Sequence, residues 1–175
     1  MIIWDTGPLY AAADSDDKDH ARCTELMRRT PPPLLMPAPV LTEVGYLLER
    51  EKGARAEAAF LRSIRTGQVM MVPVAAADLD RMAELVETYG DFPLGLVDAS
   101  VIAVAERLGA GDIATLDHRH FSVVRPAHVP AFHLRGEWAR AGASLWGRTG
   151  PARACDCFRL QARASVSPGQ RLCAS

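Results

Sequence analysis

Lysine is nearly missing from this chain. Lys18 and Lys52 are the only two among 175 residues, so its positive charge is almost entirely arginine. Aromatic residues make up 6%, which excludes an extended series of base-stacking side chains such as single-strand binders use. No apolar run nears the ~20 residues needed to span a membrane, and no leader-like segment precedes the apolar run that begins at Met1. Cysteine is sparse. Cys23 falls in a helical pattern and reads as a small buried hydrophobe, while Cys155, Cys157 and Cys173 lie near the C-terminus. Cys155-Asp156-Cys157 lacks both the two-residue gap and the flanking Cys/His pair of a zinc knuckle. A reducing cytoplasm is therefore the expected setting. No internal repeat interrupts the chain.

What is present is ordinary for a globular domain: 49% hydrophobic and 23% charged residues, with a net charge of -1. A chain of this length buries roughly 70% of its unfolded surface and folds without staples. The charge is unevenly spread. Residues 1–135 hold 14 basic and 19 acidic side chains, whereas six arginines face two acids from Gly136 onward. That last stretch is rich in Ala, Arg, Gly and Ser and has no sustained period, so the expected division is a folded domain over 1–134 and a poorly ordered basic tail over 135–175. Trp138 and Trp146 are the tail's candidates for docking on the domain.

Short, non-alternating apolar runs alternate with helical patterns. Met1–Trp4, Leu34–Met36, Val69–Val72 and Ile113–Leu116 read as buried strands, and Ser122–Arg125 as a fifth short one after a turn at His118–Phe121. Helices are expected after Asp5, over Asp17–Arg29, Pro39–Glu51, Ala54–Arg65, Ala75–Tyr89 and Val97–Leu108. The fourth carries Ala58, Phe60, Leu61 and Ile64, and the fifth has Leu79, Met82, Leu85 and Val86 on one face. This alternation predicts an α/β fold of three layers, α/β/α, around a mostly parallel sheet of four to five short strands.

Four acids are placed alike in that scheme. Asp5 and Asp117 follow strands, while Asp98 and Glu43 lie in the early turns of helices. In an open parallel sheet these positions share the carboxyl rim, where ligands bind near the reversal of strand order. Each acid also has a plain structural role open to it, as a helix cap, a turn residue or a solvated side chain. Gathered together, the carboxylates repel one another unless a cation intervenes. With no His or Cys at zinc-like spacing, Mg2+ or Mn2+ fits better than Zn2+.

The segments MIIWDTGPLYAAAD, PVLTEVGYLLE, LGLVDASVIAVAERLG and DIATLDHRHF, in this order and spacing, resemble the PIN-domain ribonucleases, specifically the bacterial VapC-type toxins, over about residues 1–134. The resemblance implies a catalytic set of Asp5, Glu43, Asp98 and Asp117, with Asp5 and Asp98 holding the metal and Thr6 and Ser100 supporting the site. It further implies a Mg2+-dependent endoribonuclease, a cognate antitoxin that covers the site, and a homodimer, for which the apolar side of Ala54–Arg65 is a candidate face. At His120 the sequence departs from the pattern, since many relatives carry another aspartate there.

An acidic rim repels RNA, so arginines must grip the backbone. Arg28, Arg29, Arg62, Arg65, Arg119 and Arg125 are the candidates, with Arg119 and Arg125 nearest the acids in sequence. Three rival readings are weighed against this one. Asp5-Thr6-Gly7 matches the motif of aspartic proteases, but those are all-β. A receiver domain would need paired acids after the first strand and a late lysine, and neither is present. A non-catalytic PIN-fold module that binds RNA or an antitoxin keeps the fold but gives the four acids no work.

Overall fold

The computed structural model describes residues 1–92 and 94–135. Expectations for the tail, including its tryptophans and cysteines, lie outside the described residues. Five strands, β1 (Ile2–Trp4), β2 (Leu34–Pro37), β3 (Val69–Val72), β4 (Asp112–Ala114) and β5 (His133–Arg135), form one sheet in the order β3-β2-β1-β4-β5. Every pairing is parallel, with Ile3 opposite Leu35 on one side and Ile113 on the other. Helices α1 (Thr6–Ala13), α2 (His20–Arg29), α3 (Ala38–Lys52), α4 (Ala54–Arg65), α5 (Ala76–Thr88), α6 (Leu96–Leu108) and α7 (His118–Val123) connect the strands and cover the sheet. This is the expected α/β/α arrangement.

The order of strands matters for function. The chain steps from β1 outward to β3, then returns to place β4 on the other side of β1. The reversal lies between β1 and β4, so the crevice beyond their carboxyl ends is where a parallel sheet of this kind offers a binding site.

Helix α6 anchors that crevice. Its residues Ala99 to Ala105 are all buried, because the segment is apolar around its whole circumference. Its start is set by Gly95, whose N–H donates to Asp98 Oδ2 at 3.2 Å. It ends at Gly109, whose φ of 66° is the left-handed conformation that closes helices. There the Ala110 N–H returns to Ala105 O at 2.8 Å. Ile102 is fully buried at the centre. Ile102→Ala should destabilise the fold by about 2–5 kcal/mol, read as a lower denaturant midpoint with an unchanged slope.

Several expected elements are corrected. His118–Val123 is a helix rather than a turn running into a strand, because Asp117 caps its first turn and Phe121 inserts into the core. The fifth strand is instead His133–Arg135, which extends one residue past the expected domain end. Helix α2 starts at His20 rather than Asp17, since Asp17 turns back to bind the Asp19 N–H through its side chain. In α5 the inward face is Met82, Leu85 and Asp78, while Leu79 and Val86 point outward. The carboxylate of Asp78 holds that inward position through Arg107 Nε at 2.9 Å and the Ala75 N–H at 2.8 Å. In α4 Phe60 is buried while Leu61 is exposed.

Candidate active site

Asp5 is the first residue past β1 and the N-cap of α1. Both of its carboxylate oxygens are held inside the protein. Oδ1 accepts from the Thr6 N–H at 2.7 Å, and Oδ2 accepts from the hydroxyl of Thr115 at 2.7 Å. Thr115 follows β4 and is fully buried; its own oxygen accepts from the Asp117 N–H at 2.9 Å. One hydroxyl thus ties the residue after β1 to the acid after β4, across the point where strand order reverses. Asp117 in turn caps α7 by accepting from the His120 N–H at 3.1 Å.

Two further acids arrive on helices. Asp98 sits in the first turn of α6. Glu43 lies in the second turn of α3, where its Oε2 accepts from the Thr6 hydroxyl at 2.5 Å. Thr6 therefore supports two of the expected acids, one through its N–H and one through its side chain. Asp5, Asp98 and Asp117 all stand at helix starts, where the partial positive charge favours a carboxylate.

The electrostatics link all four. Burial pushes the Asp5 carboxyl up to about 7, against the lowering effect of the Thr115 and Thr6 hydrogen bonds and with added repulsion from Asp98 and Glu43. Asp98 is raised as well, first by burial, with Asp117 and Glu43 adding to it and the Gly95 N–H and His120 opposing it. Asp5 is 5% exposed, so its charged form lacks the water that would otherwise stabilise it.

A hard cation would offset the mutual repulsion of such a group, and the donors are all oxygens of the kind Mg2+ takes. Among the described residues, no three His, Cys, Asp or Glu side chains are grouped tightly enough to enclose an ion by themselves. Mg2+ does not require this, since it usually binds through one or two carboxylates and keeps several waters.

His120 is the residue whose part the sequence concealed. Its Nδ1 lies 3.2 Å from Asp98 Oδ2 and 3.0 Å from Asp117 Oδ2, aligned as a hydrogen bond to neither. Its ring meets that of Phe92 edge-on, with centroids 5.1 Å apart. Thr115 was also missed as a participant, although it is the Thr of the ATLD segment. Ser100, expected to support the site, gives its hydroxyl to Val97 O in its own helix at 2.7 Å. Of the expected RNA-gripping arginines, Arg28 and Arg29 are both engaged by Glu25. Arg119 and Arg125 are exposed, and the Arg119 guanidinium lies over the Phe92 ring at 5.1 Å.

Comparison with known proteins gives these features a context. A family model described as PIN domain matches residues 2–125. Ribonuclease VapC26 of Mycobacterium tuberculosis is 36% identical over 126 residues, covering 72% of this chain and 93% of that protein. The 23S rRNA-specific endonuclease VapC20 of the same organism is 30% identical over 118 residues, covering 67% of this chain and 89% of that protein. The crystal structure of M. tuberculosis VapC20, described as a sarcin–ricin loop cleaving toxin, superposes with a TM-score of 0.64 at 24% identity. It covers 68% of this chain and 92% of that one.

Proposed function

The chain belongs to the PIN-domain family, in the company of the VapC ribonucleases, and on that premise we propose that it is a Mg2+-dependent endoribonuclease toxin of a toxin–antitoxin pair. The observation that carries this reading is the shared rim: one buried threonine joins Asp5 to Asp117, and Asp98 and Glu43 press their charge on the same carboxylate. Asp5 and Asp98 would hold the ion, with Mn2+ as an alternative. When bound, the ion would polarise a phosphodiester oxygen and acidify a water.

The protein's own part is to position donors. Thr6 and Thr115 fix the Asp5 carboxylate, each giving one hydrogen bond to one of its two oxygens. Glu43, held by Thr6, and Asp117, held at its own N–H by Thr115, would orient the attacking water, and one of the two would accept its proton. Products would carry a 5′-phosphate and a 3′-hydroxyl. The substrate proposed is a structured RNA loop such as the 23S rRNA loop named for VapC20. A cognate antitoxin is the proposed partner, covering the acidic rim, and a homodimer the proposed assembly. Residues 1–134 form the proposed nuclease unit, with the remaining basic tail adding salt-dependent affinity for RNA. No helix among the described residues is long and apolar enough to cross a membrane, and the cytoplasm is the proposed location.

Sequencing the 5′ ends of cellular RNA after brief induction tests this. Recurrent 5′-phosphate ends at one structured site are expected. RNA ends unchanged from uninduced cells would favour the non-catalytic binding module. The tie made by Thr115 can be tested with purified protein. Thr115→Val removes a hydrogen bond that favours ionised Asp5, so the pH profile of cleavage should move toward alkaline pH by about one unit, while Thr115→Ser should restore it.

A further inference from the structure

Of the phenylalanines described, Phe60, Phe121 and Phe132 are buried in the core. Phe92 is only half-buried and stands apart from them. It lies in the segment between α5 and α6, just before the helix that carries Asp98, and it packs on α7, the helix that starts from Asp117. Its ring touches His120, and His120 Nδ1 faces both carboxylates. One aromatic side chain therefore sits a single residue away from two of the four acids.

Arg119 completes the arrangement. It is exposed and only two residues from Asp117, yet its guanidinium lies over the Phe92 ring, 5.1 Å from the centroid. A guanidinium held over an aromatic ring is a flat, weakly hydrated cation that stacks readily on a further ring. Unpaired RNA bases are recognised largely by stacking on aromatic or guanidinium planes. The rim beside it is acidic and repels phosphate, so a charged planar surface at its border meets a specific need.

We propose that Arg119 and Phe92 form a stacking subsite for one unpaired nucleobase next to the scissile phosphate. This rests on the ribonuclease reading above and adds what holds the substrate there. With aromatics so few, the subsite reads one base rather than a series.

The test is binding of two labelled strands by the full chain in EDTA, which keeps both intact: an oligoadenylate, and an abasic ribose-phosphate oligomer of equal length. Phosphate contacts and acidic repulsion are common to both, so their ratio reports stacking. The wild type is expected to prefer the oligoadenylate about tenfold. Phe92→Ala should bring the ratio near one, Phe92→Trp should retain it, and Arg119→Lys should lower it while keeping the charge. Thermal melting of each variant checks that it is folded. Equal affinities in the wild type, or an undiminished ratio in Phe92→Ala, would overturn the subsite. So would a Phe92→Ala variant that loses only antitoxin binding. Cleavage with Mg2+ is read separately, and its absence would count against the ribonuclease reading rather than against the stacking.

Discussion

Asp5→Asn is expected to lower Mg2+-supported RNA cleavage on the order of a thousandfold. The magnitude follows from the position. A metal acting on a phosphodiester contributes several kcal/mol of transition-state stabilisation, and each 1.4 kcal/mol or so lost costs a factor of about ten. Asn keeps the shape of the side chain and an oxygen to accept from Thr6 or Thr115, but it removes the charge that would hold the ion. Asp98→Asn should lose a comparable amount. It also gives up a carboxylate oxygen that accepts the Gly95 N–H at the start of α6, so its folding should be checked alongside. Asp112→Asn is the control. That acid pairs with Arg135 at the opposite end of β4, away from the rim, and cleavage should stay within about twofold of wild type.

The second large effect is on stability rather than rate. Asp5 is pushed from 3.8 to about 7 in the folded protein, chiefly by burial. Between those values the folded state keeps a proton that the unfolded chain has released. Stability therefore falls as pH rises from about 4 to about 7 and levels off above. The gap corresponds to on the order of 4 kcal/mol, which for a chain of this size lowers the melting temperature by roughly 10 °C between pH 5 and pH 8. Asp98, also raised, adds to the same trend. Asp14 works the other way. Burial raises it, but the hydrogen bonds from Lys52, the Asp16 N–H and Tyr10, together with the Lys52 charge, outweigh this and hold it low, so its contribution is lost only on the acid side of the window. Saturating Mg2+ should take the place of the proton and flatten the slope. Asp5→Asn should remove most of the slope without metal and be more stable than wild type at pH 8. Melting curves across pH, with and without Mg2+, check this. A metal-free wild type that gains stability from pH 5 to 8 would contradict it.

The two effects share one cause. Burial opposes the charge of the Asp5 carboxylate, and the residue that limits stability there is the one proposed to hold the ion.

Much of this was readable before any coordinates. The short apolar strands of a doubly covered parallel sheet leave a plain signal, and the acids at their ends follow from it. Asp5 and Asp117 could be placed because β1 and β4 are each bounded by an abrupt change to polar residues. The α7 segment was misread because Val123 and Val124 look like a strand, while the interactions that decide it, the cap at Asp117 and the burial of Phe121, depend on the surrounding fold. Strand β5 has one half-buried residue between two exposed ones, too little pattern to detect. Thr115 and His120 escaped for a different reason. Thr115 meets Asp5 and His120 meets Asp98 across 110 and 22 residues of sequence, distances that no local spacing encodes, and only the approach of His120 to Asp117 is local. Ser100 shows the converse, because a hydroxyl near the site in sequence is satisfied by its own helix.

The most direct test measures metal binding and cleavage on the same protein samples. Mn2+ binding can be followed by the loss of its free electron-paramagnetic-resonance signal, and RNA cleavage with Mg2+ or EDTA by gel. The wild type is expected to bind Mn2+ and to cut RNA only without EDTA. Asp5→Asn and Asp98→Asn should lose both properties together while remaining folded. Variants that still bind Mn2+ and cut RNA like the wild type would show that these acids are not the metal site, and cleavage that persists in EDTA would show that no metal is needed.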